Sequence, residues 1–142
     1  MNKRLNARKL LNSKGFTLAE VILAAAILAF ALTGLLALFI NCMLLNESSR
    51  NRSLATAHAQ FVLEEIKNTN FDLIETDINA GSWNWNEAEI EGKNLPVLKS
   101  EDIETTVSAS GDPLGVLVTV SWQDRLGGAK TTSLTSIFTD IY

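Results

Sequence analysis

The sequence predicts an α+β fold in which a long N-terminal α-helix packs on a small C-terminal antiparallel sheet. Two observations carry this prediction. An apolar run is followed by an amphipathic stretch, and no proline interrupts the chain before Pro96. The last third alternates apolar and polar residues between turns that contain Gly and Asp, as short antiparallel strands do. A helix that precedes such a sheet is typical of an α+β domain.

The apolar run extends from Val21 to Ile40, and only Thr33 and Gly34 reduce its hydrophobic character. Twenty helical residues with a rise of about 1.5 Å each span roughly 30 Å, the thickness of a bilayer's hydrocarbon core. We therefore expect residues 16–45 to form the transmembrane half of one helix and residues 46–70 its amphipathic half. An apolar stripe on the second half is expected to pack on the sheet: Ala55, Ala59, Val62, Leu63 and Ile66.

Residues 71–100 are expected to connect the helix to the sheet, because Gly and Pro interrupt their periodicity. A short helix over Phe71–Ile78 and an irregular strand are both compatible with this segment. Residues 101–142 are expected to form the antiparallel sheet. Its predicted strands are Ile103–Ala109, Leu114–Trp122 and Thr131–Thr139. The second strand has an apolar face, which we expect to lie against the helix and which consists of Val116, Val118, Val120 and Trp122.

The charges divide the chain into two parts. Residues 1–15 contain five basic side chains and no acidic ones, whereas the rest of the chain contains seven basic and sixteen acidic side chains. The positive-inside rule then keeps the N-terminus in the cytoplasm and the C-terminal domain outside it. Because nucleic-acid binding requires basic side chains at the phosphates, the acidic domain argues against a nucleic-acid partner.

Little in the sequence indicates catalysis. His58 is the only histidine and Cys42 the only cysteine, so neither a nucleophile–base pair nor an intrachain disulfide is predicted. We expect His58 on the helix surface or at an interface, and Phe61 in the core. An acidic cluster lacks the spacing of a calcium loop and is expected to be solvated: Glu87, Glu89, Glu91, Glu101 and Asp102. No enzyme activity, cofactor or metal is therefore predicted.

A short segment immediately before the apolar run contains an unusual carboxylate. The segment reads Lys14-Gly15-Phe16-Thr17-Leu18-Ala19-Glu20. Glu20 is the only acidic or basic residue (Asp, Glu, Lys, Arg or His) between Lys14 and Glu47, and a carboxylate at the rim of an apolar run is costly and usually has a partner. Thr17 and Glu20 have the spacing of a capping box, in which each satisfies a free N–H at a helix start. Capping and a functional role for Glu20 are compatible.

Together with the basic leader and the apolar run, this segment resembles the prepilin signature of type IV pilins and type II secretion pseudopilins. The matching residues are Lys14, Gly15, Phe16, Thr17, Leu18 and Glu20. The resemblance implies that a prepilin peptidase removes residues 1–15 by cleaving after Gly15, and that Phe16 becomes the N-methylated new N-terminus. We expect Glu20 to neutralise the Phe16 ammonium of a neighbouring subunit and so to select the docking register in a filament.

The same resemblance implies a structural role. Processed subunits would join other pilins or pseudopilins in a helical filament, a type IV pilus or a type II secretion pseudopilus, on an inner-membrane assembly platform. Before assembly the chain would be a single-pass protein of the inner membrane, with the lipid bilayer as a further partner. The Val-rich strand and the Thr-rich last strand also resemble the minor pilin V and pseudopilin I class. Many pilins have a helix-breaking Pro within the apolar half of the long helix. In this chain Ala31 to Ile40 contains no Pro, and the only interruption is Gly34, which weakens a helix less.

Three other interpretations of the N-terminal region are weaker. A secretory signal cleaved after Ala31 would leave an exposed apolar N-terminus on the product. A lipoprotein signal at Cys42 would require a small residue where Asn41 stands. A plain single-span anchor gives no role to Glu20.

Trp83 and Trp85 alternate in the connecting segment and have two interpretations. As a binding patch they would make the chain a membrane-anchored binding module, such as an adhesin or a DNA-uptake tip pilin. Aromatic residues in such a segment more often pack a loop onto the core.

Overall fold

The computed structural model describes residues 15–140, so the expected leader lies outside the described residues except for Gly15. The chain forms two compact units, of which the first ends at Cys42 and the second begins at Met43. The helices and strands are α1 (Leu18–Lys67), α2 (Phe71–Asn79), β1 (Trp85–Asn86), α3 (Glu87–Gly92), β2 (Asp102–Ala109), β3 (Leu114–Gln123) and β4 (Ala129–Phe138).

The first unit is helical from Leu18, and all its described side chains are exposed, including Phe30, Leu35 and Phe39. Among residues 15–140, α1 is the only helix that is long and apolar enough to cross a membrane, by length and composition. A helix that is apolar all round needs lipid or other apolar helices around it. This unit therefore presents a surface that is incompatible with water.

The second unit is built on a four-stranded antiparallel sheet. The strand order is β1-β2-β3-β4, with Val107 opposite Val116 and Val118 opposite Leu134. The buried core combines one face of α1 with the inner face of the sheet and includes Ala55, Ala59, Val62, Ile66, Ile103, Val116, Val118, Val120 and Trp122. The predicted α+β fold is therefore confirmed as a long N-terminal apolar helix packed on a small antiparallel sheet, a type IV pilin-like architecture.

The segment between the helix and the main strands is ordered by its own caps. The side chain of Asn70 accepts a hydrogen bond from the Asp72 N–H at 3.3 Å and starts α2, which buries Ile74 and Ile78. Asn86 starts α3 through a capping box with Glu89. The sequence predicts neither α3 nor β1, because a helix of six residues and a strand of two are too short to produce a periodic pattern.

Candidate processing and assembly site

Gly15 and Phe16 precede the first turn of α1 and are exposed. Phe16 retains 85% of its accessible surface. A Cβ atom built on Gly15 would meet no described atom within 4 Å, and the backbone there does not adopt the left-handed conformation that favours glycine. Residues 15–140 of the fold therefore do not themselves require a glycine at position 15.

Thr17 and Glu20 form the helix cap that their spacing predicts. The Thr17 N–H and hydroxyl donate to Glu20 Oε2 at 2.9 and 3.0 Å, and the Glu20 N–H donates to Thr17 Oγ1 at 3.3 Å. The Val21 N–H donates to the Thr17 carbonyl at 3.2 Å and opens the helical ladder. These reciprocal bonds satisfy N–H groups that have no partner within a helix.

The cap fixes the Glu20 carboxylate without saturating it. Both side-chain bonds fall on Oε2, and among residues 15–140 Oε1 accepts none. An ionised carboxylate offers about four acceptor positions on its two oxygens. Glu20 is thus held in one orientation by Thr17, with acceptor capacity left for a cationic donor from another molecule.

The sequence comparisons bear on this same segment. Residues 10–36 match the family model described as the prokaryotic N-terminal methylation motif. The match spans Gly15, Phe16, Glu20 and most of the apolar run, and it supports the type IV pilin and pseudopilin family as the class of this chain. This class points to a structural protein that is processed by a prepilin peptidase, anchored in a membrane and assembled with other pilins. No curated protein and no solved structure matches the chain significantly.

Trp83 and Trp85 are buried, with 7% and 4% of their surface accessible. The Trp83 carbonyl accepts a hydrogen bond from the Thr105 hydroxyl at 3.0 Å, and Trp85 pairs with Ile103 at the start of the sheet. The Trp85 ring also lies against Phe61, with 6.1 Å between the ring centroids. Both indoles therefore belong to the core of the second unit.

The Lys93 side chain lies over the rings of Phe61 and Trp85. Its Nζ atom lies 4.0 Å from the centroid of the Trp85 ring and 3.0 Å from Glu65 Oε1 on α1. A cation over an indole face and beside a carboxylate is stabilised by both. The contact links the end of α3 to the amphipathic half of α1.

A buried pair formed by His58 and Glu101 corrects two expectations. His58 was expected on the helix surface or at an interface and Glu101 in a solvated loop, yet each retains only 2% of its accessible surface. His58 Nδ1 lies 2.6 Å from Glu101 Oε1, and Glu101 Oε2 accepts a hydrogen bond from the Leu98 N–H at 2.7 Å. The sequence signal was available, because position 58 follows Ala55 by three residues and precedes Val62 by four.

Cys42 and the remaining residues of the predicted acidic cluster take no part in the Thr17–Glu20 cap or the His58–Glu101 pair. Cys42 is exposed at the end of the first unit. Of the acidic cluster, Glu87 accepts a hydrogen bond from the Ser100 N–H and Glu89 caps α3. Within residues 15–140, no group of three His, Cys, Asp or Glu side chains converges as metal ligands do.

Proposed function

We propose that this chain is a minor pilin or pseudopilin that is cut after Gly15 and assembled into a type IV pilus or a type II secretion pseudopilus. The observation that carries the proposal is the methylation motif joined to a carboxylate, Glu20, that the Thr17 cap holds in place. The lack of a helix Pro and the resemblance of the last strands to the minor pilin V and pseudopilin I class favour a minor subunit.

The first step is hydrolysis of the Gly15–Phe16 peptide bond. Water adds across the bond, so Gly15 leaves as the carboxylate end of the leader and Phe16 becomes the new N-terminal amine. The resemblance to prepilins implies that the peptidase then transfers a methyl group from a methyl-donor co-substrate to this amine, which is protonated as an ammonium group. The exposure of both residues and the empty space around Gly15 suit a protease that binds the segment in a narrow cleft. Cleavage also removes the five basic side chains that hold the N-terminus in the cytoplasm.

The second step joins the new charge to Glu20. Cleavage leaves the Thr17 N–H in place, so the cap on Oε2 persists while Oε1 can accept from the Phe16 ammonium of a neighbouring subunit. An unpaired charge in an apolar medium costs several kcal/mol, so subunits docked in the wrong register are rejected. The pair thus contributes more to specificity than to net stability.

The third step covers the apolar helix. The first unit exposes large apolar side chains such as Leu28, Leu36 and Ile40. Lipid covers them before assembly, and the same helices of neighbouring subunits cover them in a filament. Van der Waals packing between helices then replaces contacts with lipid tails.

A second candidate, a membrane-anchored binding module, depended on Trp83 and Trp85 as an exposed patch. Both side chains are buried. No other observation favours a ligand at these residues, and we propose the structural function alone.

Mass spectrometry of the N-terminus tests the proposal. We expect the chain, when co-produced with an active prepilin peptidase, to lack residues 1–15 and to begin with a methylated Phe16. The matched control is the same chain produced with a catalytically inactive peptidase, which should retain the leader. An intact leader in the presence of active peptidase, or cleavage after Ala31, would contradict the proposal.

A further inference from the structure

Basic charge in the second unit is concentrated at one end. The unit contains seven Lys and Arg side chains and fifteen Asp and Glu side chains. Two segments, residues 43–53 of α1 and the β3–β4 turn with its flanks at 123–130, contain four of the bases and two of the acids. The bases are Arg50, Arg52, Arg125 and Lys130, and the acids are Glu47 and Asp124. These segments are therefore positive within a strongly acidic unit.

The two segments are adjacent in the fold. Arg125 Nη1 lies 3.7 Å from Glu47 Oε2, and a shallow groove is lined by residues of both segments, including Leu44, Asn51 and Leu126. Lys130 Nζ lies 3.7 Å from Asp124 Oδ2. Each of the two acids is thus paired with a base of residues 123–130, and the excess positive charge of the two segments comes from Arg50 and Arg52 on α1.

The turn between β3 and β4 presents an apolar side chain to solvent. Asp124 Oδ1 accepts hydrogen bonds from the Leu126 N–H at 3.0 Å and the Gly128 N–H at 2.7 Å, and Gly127 has a positive φ of 83°. These bonds define the turn. Leu126, at its tip, keeps 81% of its surface exposed, where turns normally carry polar residues.

Further exposed apolar side chains lie on the first helical turn of the same unit. Met43 and Leu45 are exposed, and they come directly before Glu47, which contacts the turn through Arg125. Arg52 lines a separate hollow of α1 with Ser49 and Thr56. We call the part of the unit made by residues 43–50 and 124–130 the basal surface, with the exposed side chains Met43, Leu45, Arg50, Arg125, Leu126 and Lys130. It combines exposed apolar side chains with cationic ones, and this combination binds at the interface of an anionic membrane.

We propose that the basal surface rests on the membrane in which the chain is anchored. Leu126 enters the interfacial region, and Arg50, Arg125 and Lys130 face anionic lipid headgroups. The inference rests on the membrane anchoring that is part of the proposed function. Lipid is favoured as the occupant because Met43 and Leu45 continue the apolar run of the anchor and Glu47 is the first charge after it.

The test uses the full chain in vesicles, with an environment-sensitive fluorophore at Leu126→Cys in a Cys42→Ser background. The matched control carries the label at Ser110→Cys, in the exposed connection between β2 and β3 at the opposite end of the sheet. Vesicles of phosphatidylcholine with and without phosphatidylglycerol contain a lipid with a quencher at the headgroup. We expect the label at position 126 to be quenched several-fold more than at 110, and more strongly with phosphatidylglycerol.

Charge reversal identifies the part that lipid charge plays. Arg125→Glu with Lys130→Glu should lower the quenching at position 126, whereas Lys67→Glu, at the C-terminal end of α1 and away from the basal surface, should not. Raising the salt concentration should have the same effect without any substitution, so a folding defect of the variant does not decide the result. Quenching that is equal at positions 126 and 110 would overturn the proposal. So would a fluorescence change that depends on protein density rather than on lipid, which would indicate a second copy as the occupant.

Flotation of the vesicles separates the two proposals. A chain that floats with the vesicles but shows no quenching at position 126 would remove the basal contact and leave the anchored subunit intact. A chain that does not float with vesicles would overturn the anchoring itself and the basal contact with it.

Discussion

His58 Nδ1 lies 2.6 Å from Glu101 Oε1 inside the second unit and ties α1 to the segment that leads into β2. Glu101 also accepts a hydrogen bond from the Leu98 N–H. One buried carboxylate therefore serves as the hydrogen-bond partner of both the His58 ring and the Leu98 backbone. The Nε2 atom of His58 has no hydrogen-bond partner among residues 15–140. The pair is therefore a small polar site in a largely apolar core, in which Thr105 is a further buried polar side chain.

Glu101→Ala should lower the free energy of unfolding by about 3 kcal/mol, because it leaves His58 and the Leu98 N–H buried without a partner. Urea unfolding of the full chain in detergent, followed by tryptophan fluorescence, measures this. Glu104→Ala removes an exposed carboxylate from β2 and should change stability by about 0.5 kcal/mol or less. Equal effects of the two variants would show that the buried pair does not stabilise the fold.

Glu20→Gln separates the cap from the charge. The amide oxygen can still accept from the Thr17 N–H, so the helix start should be retained, while pairing with an ammonium is weakened. We expect this variant to be processed and to remain in the membrane fraction but to be absent from sheared filaments. Thr17→Ser, which keeps the hydroxyl, serves as the control and should assemble. Normal assembly of Glu20→Gln would rule out the pairing role.

Gly15→Leu should block removal of the leader, because the proposed protease cleft accepts only a small residue at this position. The fold should be unchanged, because no described atom lies within 4 Å of the added Cβ. The measurement is the mass of the N-terminal peptide after co-production with prepilin peptidase. Gly34→Ala, at another glycine with free space around it, should be processed like the native chain. Processing of Gly15→Leu at the native rate would mean that the peptidase does not require a small residue here.

Trp85→Ala should reduce the stability of the second unit by about 3 kcal/mol or more, because it opens a cavity between Phe61, Lys93 and the sheet. Accumulation of the protein and its incorporation into filaments should fall together. Leu73→Ala, on the exposed face of α2, should cost far less. If Trp85→Ala kept native stability, a binding role for Trp83 and Trp85 would regain support.

The main elements of the fold follow from periodicity. The long helix, the three long strands and the buried face of β3 could be predicted because each extends over several repeats of its pattern. Phe61, predicted in the core, is only partly buried against it. The short elements α3 and β1 depend on a cap at Asn86 and on a two-residue ladder, and such local bonds leave almost no trace in a hydropathy pattern.

The candidate site divides in the same way. The Thr17–Glu20 cap could be predicted because both partners lie three residues apart in one helix start. The His58–Glu101 pair joins residues 43 positions apart, and the charge of Glu101 suggests a solvated side chain until its partner is known. The basal surface likewise cannot be predicted from the sequence, because it forms only when the β3–β4 turn folds beside α1.

The uncovered apolar helix of the first unit has a consequence for supply. In the proposed function the bilayer acts as a reservoir, and the apolar helix of each subunit moves from lipid into the packed helices of the filament without exposure to water. The free-energy difference between the two states is then small, since neither exposes the helix to solvent. We therefore expect the transfer to be reversible, so that subunits of such a filament can return to the bilayer.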